Sequence, residues 1–539
     1  MKRLWLSFFL LLILSCTSER RISYEDTGRP SYGDMIVAGS LGEPSNLIPI
    51  LATDSPSHEV ASFIYNGLVK YDGDLNIVPD LSERYEISKD GLSITFHLRR
   101  NVRWHDGEPF TAEDVLYTYR VICDPKTPTA YSGDFLPVKR AEALDDYTFR
   151  VTYDKPFAPA LISWSIPILP SHLLEGREIA LSPLSRSPVG TGPYVFKEWV
   201  PGQRIVLTAN RHYFEGRPYI DAYAMRIIPD MATMFLELKN GGIDTMALSP
   251  IQAVRQTEYA KFRREFNKFR YLSFSYVYLG YNLLHPFFKD KRVRQAITHS
   301  IDKREIIDGI LLGQGIEADG PYKPDMWAYN PNVKRYKYDK EKALRLLREA
   351  GFERNEEGML VKDGRPIEFV IFVNQGNDVR IRCAELIQKR LAEIGIRAKI
   401  RVLEWASLIN EFIDKRDFEA VILGWTIPND PDIFDIWHSS KAEPRGLNFM
   451  SFRNKEVDEL LVKARHTWDR EERKRYYFRV QEILAEEQPY TFLFVPYANV
   501  AIHKRFKGIE PKPAGLTYNF VRWYVPQQQI KYGHALLSP

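Results

Sequence analysis

Apolar and polar residues alternate in the stretch LSITFHL at residues 92–98. Ile94, Phe96 and Leu98 fall on one side of an extended chain, so the stretch predicts a half-buried strand. Residues 187–214 have a similar character, with short apolar runs broken by glycine and proline. The first half of the chain is therefore expected to contain several short strands.

Helical patterns stand between these strands. Residues 58–81 predict a helix followed by a hairpin whose turn is Asp72-Gly73. The stretch TAEDVLYTYRVI begins at Thr111, three residues before Asp114, which is close to a capping box. A helix is expected to start there.

Strands and helices alternate regularly in a later part of the chain. The predicted segments are a strand at 368–375, a helix at 379–396, a strand at 397–405, a helix at 407–415 and a strand at 418–425. The first of these helices has apolar residues at helical spacing and a glycine stop: Ala384, Ile387, Leu391, Ile394 and Gly395. This alternation predicts an α/β arrangement with a parallel sheet.

The carboxyl ends of these strands carry polar and aromatic side chains. They are Asn374-Gln375, Glu404-Trp405 and Gly424-Trp425. Ligands of open α/β sheets bind outside the carboxyl ends of the strands. The loop GWTIPNDPDIFDIW that follows the third strand is therefore expected to lie at a crevice.

Clustered carboxylates in this loop could be catalysts, metal ligands or a clamp for a cationic ligand. Asp430, Asp432 and Asp435 do not form a calcium loop, because the central glycine is absent and the twelfth position is Lys441. The chain has no H-E-x-x-H, G-K-[ST] or G-x-S-x-G motif. We expect no metal, no cofactor and no enzymatic activity, although a glycosidase-like carboxylate pair from distant segments stays an alternative.

Composition narrows the class of protein. The chain has 539 residues, 44% of them hydrophobic and 13% aromatic, which is enough for two or three folded domains. Its 74 basic and 70 acidic residues leave a net charge of only +4, which argues against nucleic-acid binding.

The N-terminus predicts export. Lys2 and Arg3 precede an apolar run at residues 4–14, which is typical of a signal peptide and too short for a stable span. The end of this run, LILSC, resembles a bacterial lipobox in which Cys16 is lipidated, with signal cleavage elsewhere as the alternative. Residues 1–15 are thus predicted as signal peptide and 16–33 as a flexible tether. No other segment is apolar enough to cross a membrane.

The two remaining cysteines, Cys123 and Cys383, are far apart in sequence. They could pair in an oxidising compartment, but two buried free thiols are favoured.

Several motifs, in order along the chain, resemble those of the extracellular solute-binding protein family 5, which serves ATP-binding-cassette (ABC) importers of peptides and nickel. The signature WHDGEPFTAEDV lies within residues 85–120, followed by PVGTGPYVFKEW at 188–199 and NRHYFEGRPYID at 210–221. YNLLHPFFKDKRVRQAITHSIDKREI at 281–306 and the GW loop itself match as well. The resemblance extends from about Met35 to the end.

The resemblance implies a two-lobed periplasmic-binding-protein fold of type II (Venus-flytrap), with an extra domain inserted in lobe one. By this analogy lobe one comprises residues 34–56, 186–268 and 490–539, the inserted domain 57–185, and lobe two 269–489. The strand–helix alternation described above falls within lobe two, so the two interpretations agree.

The resemblance also implies a function. Such a protein captures di- or oligopeptides in the cleft between its lobes and delivers them to the permease subunits of an ABC transporter, in the periplasm or at the cell surface. It is expected to be a lipid-anchored monomer. Sugars and metal chelates are alternative ligands on this fold.

In peptide-binding members an aspartate soon after the GW pair holds the α-ammonium group of the ligand. Here Ile427 and Pro428 occupy those positions, and acids return only at Asp430 and Asp432. The ammonium contact could pass to one of these acids, or the ligand could lack an ammonium group. Alternatively, the acids only shape a turn and cap the following helix.

Other residues at the strand ends are candidates by position. Trp425 and Trp405 could stack on a ligand or only pack within the cleft wall. Thr426 and Asn374 are expected to face the ligand. Arg380 and Arg382 begin the helix after Asn374, near where a peptide carboxylate would lie, but a solvated helix face explains them equally well.

Overall fold

The computed structural model describes residues 29–427, 430–444 and 446–533. The predicted signal peptide, Cys16 and the first part of the tether lie outside the described residues. Within the described part of the chain, no helix has the length and apolar character needed to cross a membrane.

The described part of the chain folds into 21 strands and 13 α-helices. In the first half the strands are β1 (Met35–Ser40), β2 (Val69–Tyr71), β3 (Ile77–Pro79), β4 (Ser82–Ile87), β5 (Ser93–Leu98), β6 (Val138–Asp145), β7 (Thr148–Tyr153), β8 (Tyr194–Val200), β9 (Arg204–Ala209), β10 (Ala222–Ile227), β11 (Thr245–Ala247) and β12 (Phe266–Leu272). In the second half they are β13 (Ser275–Tyr281), β14 (Gly315–Glu317), β15 (Glu353–Arg354), β16 (Leu360–Lys362), β17 (Arg365–Pro366), β18 (Glu368–Asn374), β19 (Arg397–Leu403), β20 (Ala420–Thr426) and β21 (Tyr490–His503).

The α-helices, in chain order, are α1 (Ser55–Ile64), α2 (Ala112–Cys123), α3 (Ser171–Leu174), α4 (Met231–Asn240), α5 (Ala260–Glu265), α6 (Lys291–His299), α7 (Lys303–Glu305), α8 (Lys340–Glu349), α9 (Asp378–Glu393), α10 (Trp405–Ser407), α11 (Phe434–Trp437), α12 (Lys455–Arg465) and α13 (Arg470–Glu487).

The largest sheet runs through both lobes in the order β19-β18-β20-β13-β21-β11-β1-β10-β9-β8. Strand β21 joins its two halves, because one end pairs with β13 of lobe two and the other end with β11 and β12 of lobe one. The chain also crosses between the lobes from β12 to β13, directly beside β21. The predicted lobe boundaries at 268/269 and 489/490 stay predictions, but these crossings lie close to them.

The predicted strand–helix alternation is confirmed. Strand β18 pairs in parallel with β19 from Glu368↔Arg397 to Asn374↔Leu403, and also in parallel with β20. Helix α9 between them begins after Asn377, whose side chain accepts a hydrogen bond from the Arg380 backbone N–H. The connected strands therefore direct their carboxyl ends to the same side of the sheet.

Residues 57–185, the predicted inserted domain, contain a four-stranded antiparallel sheet in the order β4-β5-β7-β6. Ile94, Phe96 and Leu98 are buried on one face of β5, as the alternation predicts. The capping box at the start of α2 is also present: the Asp114 carboxylate accepts a hydrogen bond from the Thr111 backbone N–H at 2.9 Å. The hairpin predicted with its turn at Asp72-Gly73 forms from β2 and β3.

Four apolar clusters cover the sheets. One cluster runs from the inserted domain into lobe one without interruption, and a smaller one lies around α4 and α5. Two more are built mainly from lobe two, and both include residues from the first half of β21. The inserted domain and lobe one therefore share a core, whereas lobe two has cores of its own.

Cys123 and Cys383 are free thiols. Cys383 is a buried residue of α9, whereas Cys123, the last residue of α2, is only half-buried. The prediction of two buried thiols is wrong for Cys123.

Candidate functional site

A cavity of about 480 Å³ opens at the carboxyl end of β20 and is called here the Trp425 cavity. One wall is formed by lobe two, with Trp425, Thr426, Asp430 and Asp432. The opposite wall belongs to residues 131–166 of the inserted domain. Four of the predicted site residues therefore meet in one cavity, as expected from their position after a parallel strand.

The Trp425 cavity is the first of three that share walls. Tyr71 and Ser165 also line a middle cavity of about 450 Å³. Phe63 and Phe520 line both the middle cavity and a third of about 370 Å³ in lobe one, called here the Glu59 cavity. A larger cavity of about 840 Å³ beside Tyr32 and Arg217 contains none of the predicted site residues.

The Trp425 ring is held in place by lobe two. It stacks on Phe449 with a centroid distance of 5.0 Å and an interplanar angle of 18°. Its indole N–H donates to the Tyr490 hydroxyl at 3.0 Å. Because both the ring and its polar atom are engaged, Trp425 presents a fixed aromatic surface to the cavity. Thr426, the last residue of β20, is exposed beside it.

Asp430 is paired with a guanidinium group. Arg473 donates from Nη2 to Asp430 Oδ1 at 2.9 Å and from Nη1 to Oδ2 at 3.3 Å. Oδ1 also accepts the backbone N–H of Asp432 at 3.0 Å, which tightens the turn. Burial raises the pKa of Asp430, and the adjacent Arg473 opposes that shift.

Asp432 is bound to Arg465. Its Oδ2 accepts a hydrogen bond from Arg465 Nε at 2.7 Å, and its Oδ1 accepts the Phe434 backbone N–H at 3.1 Å. The Arg465 guanidinium also lies over the Phe434 ring, 3.9 Å from its centroid. Both acids therefore shape the loop before α11 and neutralise a buried arginine.

Arg465 reaches across the cavity to the inserted domain. It donates from Nη1 to the Gly133 carbonyl at 2.9 Å and from Nη2 to Asp134 Oδ1 at 2.7 Å. A second crossing contact runs from Lys441 Nζ to the Ala130 carbonyl at 3.4 Å. Sequence reasoning missed these partners, because the acids and bases lie far apart in the chain and follow no motif.

Asp134, on the inserted-domain side of the cavity, lies close to the carboxylates of Asp432 and Asp435. Burial raises its pKa to about 7, with Arg465 opposing the shift and the carboxylates of Asp435 and Asp432 adding to it. Lys441 lies 3.0 Å from Asp435 Oδ1 and also lowers the pKa of Asp134.

Asn374 and Arg380 form a separate pair beside β20. Arg380 Nη1 donates to Asn374 Oδ1 at 2.9 Å. Its Nη2 lies close to Gly424, because a Cβ atom built on that glycine would be 3.1 Å away. Burial lowers the pKa of Arg380 to about 10. Among the described residues no carboxylate lies within ion-pair distance of this guanidinium. The structure thus places a half-buried cation without a carboxylate partner close to the end of β20.

Trp405 and Arg382 lie apart from the Trp425 cavity. The Trp405 ring lies next to Gly42 of lobe one: a Cβ atom built on this glycine would be 3.6 Å from Trp405 Cδ1. Its indole nitrogen is buried and has no hydrogen-bond partner among the described residues. Arg382 is exposed on α9. Within the described residues no group of His, Cys, Asp and Glu side chains is arranged to hold a metal ion.

Comparisons with known proteins agree on one family. The model for "Bacterial extracellular solute-binding proteins, family 5 Middle" matches residues 76–444. The oligopeptide-binding protein AppA of Bacillus subtilis is 34% identical over 96% of this chain and 97% of its own length. Its solved structure with a nonapeptide superposes with a TM-score of 0.88 at 33% identity, over 92% of this chain and 100% of that chain.

A solved structure of NikZ from Campylobacter jejuni with Ni(L-His) is also similar. It has a TM-score of 0.83 and 31% identity, and covers 91% of this chain and 99% of that chain. The chain therefore has relatives whose ligands differ in chemistry.

Proposed function

This chain belongs to the bacterial extracellular solute-binding proteins of family 5, and from that premise we propose that it is the substrate-binding subunit of an ABC importer. It captures peptides in the cleft between its lobes and delivers them to a membrane permease. Its fold is the two-lobed periplasmic-binding fold. Peptides are favoured as the ligand because AppA, a relative similar over nearly the whole chain, is an oligopeptide-binding protein.

The geometry of the Trp425 cavity carries this proposal. Its volume of about 480 Å³ lies between lobe two and the predicted inserted domain, and the middle cavity, lined by lobe one and the inserted domain, extends this space away from lobe two. Strand β20 also offers a free edge: its pairing with β18 stops at Phe372↔Val421, and among the described residues no other strand continues it on that side. An extended peptide can add to such an edge through main-chain hydrogen bonds.

Arg380 provides a place for a peptide carboxylate. Its guanidinium is half-buried beside Gly424 and interacts with the neutral Asn374 rather than with an acid. A carboxylate there would form a charge-assisted pair and relieve the cost of burying an uncompensated cation. In this arrangement Trp425 and Thr426 contact the peptide, and Arg380, oriented by Asn374, holds its carboxyl end.

Native mass spectrometry of gently purified protein, followed by calorimetric titration with di- to pentapeptides, tests the function. We expect co-purified peptides, saturable peptide binding and no cleavage of any peptide. Trp425→Phe should weaken binding by about 1 kcal/mol through loss of aromatic contact. Trp199→Phe, which removes a tryptophan absent from the cavity lining, is the matched control. A metal chelate or sugar in place of peptide would overturn the peptide assignment.

We further propose that the protein is an anchored monomer, with lobes and inserted domain divided at the boundaries given above. Lipidation at Cys16 would attach the chain to the membrane through the tether. A Cys16→Ala form should then leave the membrane fraction, as shown by fractionation after a salt wash. Retention of that form in the membrane would refute the anchor.

A further inference from the structure

We propose that Glu59 holds a positively charged nitrogen of the bound peptide in the Glu59 cavity, and that the acids of the GW loop do not. The inference rests on the peptide-binding function proposed above. The ligand group is an ammonium or guanidinium, either the peptide's α-ammonium or a basic side chain.

The chemistry of the Glu59 cavity is that of a cation site. Among the described residues that line it, Glu59 is the only charged one. Its carboxylate is exposed to the cavity, and Oε1 accepts a hydrogen bond from the Tyr223 hydroxyl at 2.8 Å. No cationic side chain of the described residues lies within ion-pair distance of it. The protein around the cavity partly desolvates this carboxylate and so raises the pKa of Glu59, with the Tyr223 hydrogen bond opposing that shift.

Aromatic rings surround this carboxylate. The Phe63 ring lies 4.5 Å from the Tyr223 ring and 4.9 Å from the Phe520 ring, centroid to centroid. Tyr271 and Trp523 complete the aromatic part of the lining. Aromatic faces attract cations, and the attraction grows when water is excluded. A carboxylate among such rings therefore favours an ammonium or guanidinium group over a neutral or anionic one.

The acids of the Trp425 cavity are not available in the same way. Asp430 is bound to Arg473, Asp432 and Asp134 share Arg465, and Asp435 contacts Lys441. A ligand ammonium would compete there with guanidinium groups that already occupy the carboxylates. The acids of the middle cavity are also paired: Lys70 Nζ lies 3.0 Å from Asp80 Oδ1 and 2.7 Å from Glu215 Oε2.

Because the three cavities share walls, one peptide can extend from the Trp425 cavity through the middle cavity to the Glu59 cavity. A peptide that lies along β20 next to Trp425 can continue past Tyr71 and Phe63 to Glu59. Arg380 lies in lobe two beside Gly424, and Glu59 lies on α1, at the start of the predicted inserted domain. Their opposite, uncompensated charges match a ligand with a carboxylate at one end and a cationic nitrogen toward the other.

Paired peptide libraries test the proposal. The probes are di- to pentapeptide libraries with free or N-acetylated amino termini, each prepared with and without lysine and arginine. Retained peptides are quantified by mass spectrometry on the parent protein and on Glu59→Gln. Glutamine keeps an acceptor for the Tyr223 hydroxyl, so the fold should persist. Tyr223→Phe, which removes the hydrogen bond but not the charge, is the control.

We expect Glu59→Gln to lower retention of cationic peptides about tenfold relative to neutral ones, the scale of one charge-assisted contact. If only peptides with free amino termini lose retention, the group that Glu59 binds is the α-ammonium. If only peptides with lysine or arginine lose retention, the group is the basic side chain. An unchanged ratio of cationic to neutral peptides overturns the inference while leaving the peptide-binding function intact. Failure of the parent protein to retain any library peptide would overturn both.

Discussion

Asp430 and Arg473 show what the carboxylates beside the Trp425 cavity do at the scale of single residues. Their side chains are 22% and 9% exposed and form a two-point contact, so each charge depends on the other. Removing one partner of a buried pair costs more than the pair contributes, because the other charge stays buried. The pair therefore stabilises the loop conformation, and the Asp430 carboxylate is not free to bind a cationic ligand.

Asp430→Asn should lower the free energy of unfolding by about 3 kcal/mol, because Arg473 would lose its counter-ion. Urea denaturation measures the change. Glu456→Gln is the control, since its pair with Arg479 is half-exposed and should contribute little. Equal stability of Asp430→Asn and the parent would show that Arg473 does not need this carboxylate.

Asp134 should give the protein a distinctive pH dependence. Burial raises its pKa from the ordinary 3.8 to about 7, in the presence of Arg465, Lys441, Asp432 and Asp435. Between these values the folded protein holds a proton that the unfolded chain releases, so this carboxyl destabilises the fold increasingly as the pH rises through that window.

The measurement is the free energy of unfolding of the parent and of Asp134→Asn at a series of pH values. The parent should lose stability relative to the variant from about pH 4 to about pH 7, and the difference should then level off. Arg465 keeps Asp432 as a partner in the variant. A difference that does not vary with pH would contradict the raised pKa.

At the scale of elements, local patterns account for most of what the sequence predicted correctly. The alternation in β5, the capping box of α2 and the apolar spacing of α9 each depend on residues a few positions apart. The place of the GW loop at a cavity follows from the parallel pairing of β18, β19 and β20.

Non-local pairings could not be predicted in this way. The position of β21 between β13 and β11 joins segments more than two hundred residues apart. The partners Arg465 and Arg473 and the cavity around Glu59 likewise depend on which segments the fold brings together. No residue spacing or motif predicts these ion pairs or this cavity, because both depend on the tertiary structure.

The motif PVGTGPY shows a glycine whose role is visible only in the fold. A Cβ at Gly190 would lie 1.9 Å from the Ile64 backbone oxygen, at the end of α1. Gly192 donates its backbone N–H to the same oxygen at 2.7 Å. The motif thus holds α1, and with it Glu59 and Phe63, against lobe one.

Gly190→Ala should therefore destabilise the protein by more than about 2 kcal/mol, because neither backbone can move aside easily. Gly309→Ala is the matched control: a Cβ there meets nothing within 4 Å, so the change should be neutral or slightly stabilising. Thermal unfolding compares the two. Similar melting temperatures for both variants would disprove the steric argument.

At the scale of the whole molecule, the lobes are joined by β21 and by the β12–β13 crossing and touch at several other points. Trp405 contacts the region of Gly42, and a Cβ at Gly376 would lie 2.4 Å from the Pro229 carbonyl oxygen. Arg465 and Lys441 connect lobe two to the inserted domain. Two lobes that share a pair of crossing strands can pivot, and contacts of this kind form only when they are closed.

Arg465 should therefore control how long a ligand stays bound. Its bonds to Gly133 and Asp134 link the two walls of the Trp425 cavity, and they must break before the lobes separate. Arg465→Lys keeps a charge for Asp432 but cannot make all of these bonds at once. Loss of one charge-assisted contact corresponds to about tenfold faster ligand dissociation, with the association rate little changed.

Stopped-flow fluorescence measures both rates, and small-angle scattering of the unliganded protein should show a larger radius of gyration for Arg465→Lys. Arg473→Lys is the matched control, since the bonds of Arg473 to Asp430 and Tyr477 stay within lobe two. It should weaken the loop without opening the lobes. If both variants release ligand at the rate of the parent, the Arg465 contacts do not hold the lobes closed, and closure depends on the ligand's own contacts with the two walls.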